Sequence, residues 1–395
     1  MSLGINSYSY NQLITEIQIK MQNIFRTMNT KYWTSGNNQI DEIIRASQRR
    51  ATDNEDRNHF LEWINIHRFS NIRYISSGAF GDVSYAIWFD GPPIDVERVK
   101  RGPPCDVAIK FFDSITEFMK ELIHNHKMIE ACSSASGFGN LIHVYGVTRG
   151  LNGNYGIVMQ YASEGSLDSF LKNNWRYISW EIKLGILKDI ARGLKNLHDA
   201  GLIHGDLHCN NIMITRDRVN YSITAYIGDF GFTRSEERYT NRTQIVGVIP
   251  FIAPEVLAGK KYTKKADIFS FGVLMYQIVC NKKPFFDQNH NFRLARSIYE
   301  GLRPQFNRDL MPICYETLMR NCWNYCQRSR PKSEKLYEKF SEWESSVYER
   351  DSPFEQYRLI AVPLPNKCDH QFAVYTTRVW HSPLAHSYSK KNRKR

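Results

Sequence analysis

Ten residues, LIHGDLHCNN (Leu202–Asn211), gather two histidines, a carboxylate, a thiol and two carboxamides directly behind a long amphipathic stretch. Those side chains could form a zinc site, a catalytic loop or a polar turn. Zinc takes several His or Cys ligands at fixed spacing. His204, His208 and Cys209 supply three, and no fourth is evident in the sequence. Oxygen donors fit better. Asp206 and Asn211 are five apart, and Asp229 follows eighteen residues later in IGDFGF (Ile227–Phe232). Asn211 and Asp229 together are the hard ligands that Mg²⁺ prefers, with room left for waters and phosphates.

Three further stretches upstream have chemical potential. SSGAFGDV (Ser76–Val83) carries Gly78 and Gly81, where the missing Cβ lets backbone approach an anion. By itself it reads equally well as a Gly-rich hairpin. VAIK (Val107–Lys110) places one lysine at the end of an apolar strand pattern. In ITEFMKEL, Glu121 lies three residues after Phe118 and beside Leu122, near the inward stripe of a helix. A carboxylate on a buried face wants a cation. Lys110 is the candidate, and a rim glutamate in water is the alternative.

These residues need elements to hold them. From Phe69 to about Val99 the residues alternate and are β-branched between Gly turns, which predicts strands. GPPIDVERVKRGPP (Gly91–Pro104) reads as a loop within that sheet. A helix is predicted over 114–132. Trp180, Leu184, Leu187, Ala191, Leu194 and Leu197 form a second helical stripe, which Gly201 caps. DIFSFGVLMYQIV (Asp267–Val279) is apolar nearly all round, so that helix is expected to be buried on most sides. The middle of the chain therefore reads as a small β-rich lobe followed by a larger helical one, and the crevice between two such lobes suits a ligand.

At 395 residues the chain is too long for one small core, and 42% apolar with 23% charged residues is near the globular average. The net charge of +12 invites a nucleic-acid reading, but Lys390–Arg395 (KKNRKR) alone carries five of the positive charges and reads as a solvated tail. No specific nucleic-acid partner is expected. Eight scattered cysteines without a CxxC read as reduced thiols. MSLGINSYSY has no basic-then-apolar leader, and its glycine stands at position 4, so neither secretion nor myristoylation is expected. No run approaches the ~20 apolar residues of a membrane span. A cytoplasmic location is expected, with a nuclear one through Lys390–Arg395 as a weaker reading. Residues 10–30 repeat Leu13, Ile17, Met21, Ile24 and Met28 at helical spacing, which predicts a helix that packs on the rest of the chain, with partner docking or autoinhibition as the sharper reading. After Gly36–Asn38 only a short helical patch is read around Ile40–Ile44, and 49–59 reads as exposed charge.

The stretches already quoted, in order, together with APE (Ala253–Glu255), DIFSFG (Asp267–Gly272) and Cys322, Trp323, Arg330 and Pro331, resemble the eukaryotic protein kinase catalytic domain over 69–343. IVMQYASEGSLDSFL and DIFSFGVLMYQIV are most similar to its tyrosine-kinase-like serine/threonine branch. The resemblance implies an α+β, bilobal fold: a small antiparallel β-sheet lobe with one helix (69–159) and a larger, mainly helical lobe (163–343). A helical extension (1–68) and a basic, mostly disordered tail (344–395) would flank it. It implies transfer of the ATP γ-phosphate to Ser/Thr, less readily Tyr, hydroxyls of a protein substrate. Gly78 and Gly81, with Ser76, would cover the phosphates. Lys110, oriented by Glu121, would hold the α/β-phosphates. Val83, Ala108 and Met213 would sandwich the adenine, with Met159 behind it and the hinge at Gln160–Ala162. Asp206 would accept the substrate proton, and Asn211 and Asp229 would hold Mg²⁺. Glu255 would pair with Arg330.

The pattern is broken in four places. Gly205 stands where the family has the arginine that grips an activation-segment phosphate, a contact worth roughly 1.5–3 kcal/mol. Phosphorylation of Thr240 or Thr243 is therefore not expected to act through that route, with Arg234 as a substitute cation. His208 replaces a lysine. Val248 replaces the threonine that bonds the Asp206 equivalent. Ser76 replaces the first glycine of the loop. These departures predict a slow or unusual kinase. A second reading is an inactive nucleotide-binding scaffold of pseudokinase type. A third is a small-molecule phosphotransferase, because HGDLH also resembles the loop of aminoglycoside-type kinases. Those enzymes lack the APE element that this chain has.

Overall fold

The computed structural model describes residues 33–53, 59–78, 81–95, 100–134, 138–235, 244–357 and 369–381. The 10–30 stretch, Thr240, Thr243 and Lys390–Arg395 lie outside them. The chain divides into two compact units, Met1–Ser133 with His143–Tyr161, and Ser134–Ile142 with Ala162–Arg395.

The first helix among the described residues of the first unit is α1 (Asn38–Asp53). The Asn37 side chain starts it by accepting from the backbone N–H groups of Gln39 and Ile40. The helix outruns the short patch read from the sequence. Charged residues continue it instead of breaking it, and Arg50 reaches Glu130 at 3.0 Å. A six-stranded sheet follows, with order β1-β7-β8-β6-β3-β2. Its strands are β1 (Glu62–Trp63), β2 (Phe69–Gly78), β3 (Gly81–Trp88), β6 (Cys105–Phe111), β7 (Val144–Arg149) and β8 (Tyr155–Gln160). The stretch expected to be a loop folds back as a small hairpin of β4 (Pro93–Asp95) and β5 (Lys100–Arg101). Arg101 anchors it, at 3.0 Å from Glu62 and over the Trp88 ring.

Strand alternation sorts the sheet into two faces. Ala86, Trp88, Val107, Ile109 and Val158 build an apolar core on one face, closed by Ile64 and Phe69. Val83 pairs with Lys110, and Ala108 with Met159, so these four share the other face. Helix α2 (Ile115–Ser134) buries Phe118 and Leu122 and carries Glu121 between them.

The boundary expected at 69 does not coincide with the fold. β1 lies within the expected extension, yet it pairs parallel to β7, with Glu62 opposite Gly146. A Cβ on Gly146 would lie 2.0 Å from the Glu62 carbonyl oxygen, so glycine is what allows the strands to meet there.

In the second unit, α3 (Leu167–Asn174) is followed by α4 (Trp180–Asp199), which Ser179 caps by accepting from Ile182. Gly201, at φ +74°, ends α4, as its position predicts. Short strands β9 (Leu202–Ile203) and β12 (Arg234–Ser235) pair, and β10 (Ile212–Arg216) and β11 (Ile223–Ile227) form a hairpin. Strand β13 (Gln244–Gly247) and the one-turn helix α5 (Pro254–Leu257) precede α6 (Lys264–Cys280), which is buried from Ala266 to Cys280. Helices α7 (Phe292–Tyr299), α8 (Ile313–Cys322) and α9 (Ser333–Ser345) complete the unit. Glu255 on α5 and Arg330 form a bidentate pair at 2.7 Å, with the Arg330 side chain 0% exposed. Among the described residues no helix is long and apolar enough to cross a membrane.

The described parts of the tail are ordered, where the sequence led us to expect disorder. Phe354 is fully buried, its ring 4.9 Å from that of Trp180. Strand β14 (Arg378–His381) pairs antiparallel with β13. Strand pairing uses backbone groups, which a Ser- and His-rich composition supplies as well as any other.

Removing one partner of a buried ion pair strands the other charge, at a cost of about 3–5 kcal/mol. Arg330→Ala should lose about that much by urea unfolding, and Glu255→Gln combined with Arg330→Met should lose less than Arg330→Ala alone.

Candidate active site

The residues singled out in the sequence fall into two sets, one in each unit. In the first unit, the Lys110 ammonium donates to both Glu121 carboxylate oxygens, at 2.9 and 2.7 Å. Both side chains are buried, so each removes the isolated-charge penalty of the other. Val83, Ala108 and Met159 stand on the Lys110 face of the sheet, and Ser76 is paired opposite Val83. Gln160 is paired with Val107, on the core side. Gly81 has φ +155°, and a Cβ there would sit 1.9 Å from the Phe111 carbonyl oxygen, so no other residue fits. Gly78 pairs opposite it, and the Ala79–Phe80 tip between them lies outside the described residues.

In the second unit, the site is built around Asp267 at the start of α6. Its carboxylate accepts the backbone N–H of His204 and of Gly205, each at 2.9 Å, and lies 3.0 Å from His198 Nε2. Burial pushes this carboxyl up, but the His198 hydrogen bond and charge and the Gly205 N–H outweigh it and hold the group below the ordinary range. His204 in turn lies 3.0 Å from the Gly228 carbonyl, and its ring meets Phe230 edge-on. The loop is thereby fixed at both ends before Asp206 is reached.

Asp206 is buried. The Asn211 amide nitrogen donates to its carbonyl at 2.9 Å and to Oδ2 at 3.3 Å. His208 Nε2 lies 3.6 Å from Oδ2. The Thr377 hydroxyl, from the tail, donates to the same Oδ2 at 2.6 Å. Burial alone would raise this carboxyl, but His208 and the Thr377 hydroxyl together keep it below the ordinary range. The Asn211 carbonyl accepts from Gly228 N–H at 2.8 Å, which brings the residue before Asp229 against it. Asp229 adopts a left-handed φ of +56° and accepts from Gly231 N–H. Met213 on β10 is half-buried opposite Tyr226.

The donor chemistry fits Mg²⁺. The Asn211 nitrogen is committed to Asp206, which leaves its amide oxygen for a hard cation beside the Asp229 carboxylate. The two imidazoles are already engaged at both nitrogens, His204 with Gly228 and the Asp206 N–H, and His208 with Thr377 and the Asn210 N–H.

A family model described as protein tyrosine and serine/threonine kinase matches residues 69–340. The chain belongs to that kinase family. Among its relatives, an RGS domain-containing serine/threonine-protein kinase A of Dictyostelium discoideum is 28% identical over 69% of this chain. A putative serine/threonine-protein kinase/receptor of Acanthamoeba polyphaga mimivirus is 32% identical over 66% of it. Ephrin type-A receptor 5 of Rattus norvegicus is 34% identical over 49%. The kinase spans only 22%, 14% and 19% of those three proteins.

Two features of the kinase escaped the sequence reading. Thr377 carried no signal, being one hydroxyl in a stretch without periodicity. Asp267 was legible as the first residue of DIFSFG, but not as the acceptor that anchors the His204–Gly205 backbone. A third feature was half legible. Gly205 has φ +78°, and the space its side chain would fill holds Arg234, whose Nη2 would be 2.7 Å from a Cβ at 205. The Arg234 guanidinium stacks over the Tyr262 ring at 4.3 Å. A cation thus stands beside the position that lost one.

Asp267→Ala would leave two buried N–H groups and His198 without their acceptor, and should lower stability by about 3 kcal/mol or more. Because the folded pKa of Asp267 is lowered, its contribution is complete above the ordinary carboxyl value of 3.8 and is lost as pH falls through the lower folded value. Unfolding curves of Asp267→Asn should accordingly converge on those of the wild type as the pH drops below that range. Gly205→Ala should cost about 1–2 kcal/mol, chiefly from the left-handed backbone.

Proposed function

We propose that this kinase transfers the γ-phosphoryl group of ATP to serine and threonine hydroxyls of proteins. The supporting observation is the Asp206 carboxylate, which is buried yet held in its ionised form and fixed by Asn211, as a group that orients an acceptor hydroxyl and takes its proton must be. Phosphoryl transfer asks the protein mainly to position the groups and to neutralise developing charge. Lys110, held by Glu121, would meet the phosphates, and Val83, Ala108 and Met213 would sandwich the adenine, with Met159 behind it. Asn211 and Asp229 would hold Mg²⁺, which would supply positive charge to offset that of the phosphates. The serine/threonine assignment draws on the names of two of the three relatives described above.

A nucleotide-binding scaffold is the second reading, favoured by Gly205, His208 and Val248 standing where the family pattern differs. The two separate on one experiment. Purified protein is incubated with labelled ATP and Mg²⁺, and phospho-amino acids are resolved. The kinase reading expects labelled serine or threonine and its loss in Asp206→Asn, with Mg-ATP still raising the melting temperature of that variant. Ligand at ~100 times its dissociation constant stabilises a fold by about 2.7 kcal/mol, a shift easily seen. A melting shift with no labelled amino acid in the wild type would select the scaffold.

A further inference from the structure

Residues 369–381 run along the second unit by successive contacts that end on the catalytic loop. Asp369 pairs with Lys283 at 2.9 Å, and His370 N–H donates to the Phe286 carbonyl. The His290 ring hydrogen-bonds the Val374 backbone, and the Tyr375 hydroxyl donates to the Pro284 carbonyl. The Asn210 amide, inside the loop, donates to the Tyr375 carbonyl at 3.0 Å. On the far side β14 pairs with β13, its first residue, Arg378, opposite Gly247. Gly247 abuts the loop aspartate closely enough that a Cβ there would lie 3.4 Å from Asp206 Oδ1. Thr377, one residue before that pairing, is therefore delivered to Asp206 from both directions. Its hydroxyl donates to Oδ2 at 2.6 Å and lies 3.2 Å from His208 Nε2.

We infer that Thr377 is the acceptor of an intramolecular phosphoryl transfer, the tail being presented to Asp206 as an extended internal substrate. The inference rests on the kinase reading above and adds to it the modified residue. In the step, Thr377 Oγ1 forms a bond to the γ-phosphorus of ATP. The bond from that phosphorus to the β,γ-bridging oxygen breaks, its electron pair leaving with ADP, and the hydroxyl proton passes to the Asp206 carboxylate. A hydroxyl already donating to the base needs no rearrangement to begin. The side chain is only half-buried, so the phosphoryl group has a side to approach from. The product carries a charge of about −1.5 to −2 beside the Asp206 carboxylate. Repulsion at that distance expels the strand, so the transfer also clears the loop for other acceptors.

The hydroxyl has a competing role as a prop, replacing the threonine that Val248 displaces. One set of assays decides between them. Full-length protein, stripped of phosphate with a phosphatase, is given Mg-ATP together with a degenerate serine/threonine peptide library, and sites are mapped by mass spectrometry. Phosphate is expected on Thr377 at a rate unchanged across a dilution series. It should persist in Thr377→Ser and Thr376→Val and be absent from position 377 in Thr377→Val and from Asp206→Asn. A phosphorylated library with Thr377 unmodified overturns the inference and leaves the kinase reading standing. So does a Thr377 rate that rises with protein concentration. If neither Thr377 nor the library is modified, the kinase reading fails and the inference with it.

Discussion

One carboxylate, Asp267, stands in the first turn of a helix that is buried from Ala266 to Cys280, and the loop Leu202–Asn211 hangs from it. Its oxygens take two successive backbone N–H groups, those of His204 and Gly205, and the His198 ring closes the third side. Hydrogen bonds from N–H groups to an ionised acceptor are about twice as strong as neutral ones. Here they are also shielded from water, because α6 is buried from Ala266 to Cys280. The left-handed turn at Gly205 is a direct result, since both N–H groups must face the same acceptor. From that turn the chain reaches Asp206, then Asn211, and through the Asn211 carbonyl the segment that ends in Asp229. Each of these side chains is positioned by the one before it, and the series starts at Asp267.

The first unit uses a different device. A pleated sheet has two faces, and here one is given to an apolar core and the other carries Lys110 with Val83, Ala108 and Met159. Lys110 is held on the second face by register alone: the residues before and after it, Ile109 and Phe111, point the other way, Ile109 into the core and Phe111 against it. Glu121 is then required, because an ammonium on a buried strand must have a counter-charge. Two physical rules, alternation and charge compensation, thus reproduce a pair that the family pattern shows only as two letters eleven residues apart.

Much of this was legible because it is local. The α4 stripe, its glycine terminator and the apolar α6 follow from short-range spacing, and the motif residues stand out as charges within apolar runs. What could not be read depends on partners far away in sequence. β14 pairs through backbone groups that every residue carries, so Arg378–His381 looked like any polar stretch. The two-residue β1 is too short for an alternation to register. α1 was read too short because its charged second half finds partners such as Glu130 in another helix. Arg234 could be proposed as a substitute cation from the sequence, but its seat against Gly205 depends on β12 meeting β9.

The parallel contact of Glu62–Trp63 with β7 has a consequence for where this domain begins. The family match starts at Phe69, yet the strand that closes this side of the sheet lies before it. A chain cut at the family limit would leave β7 as a raw edge, its ladder groups and the bare Cα of Gly146 open to any passing strand. The sheet is therefore finished by residues that the family match leaves out, and its outer border is set by Glu62–Trp63.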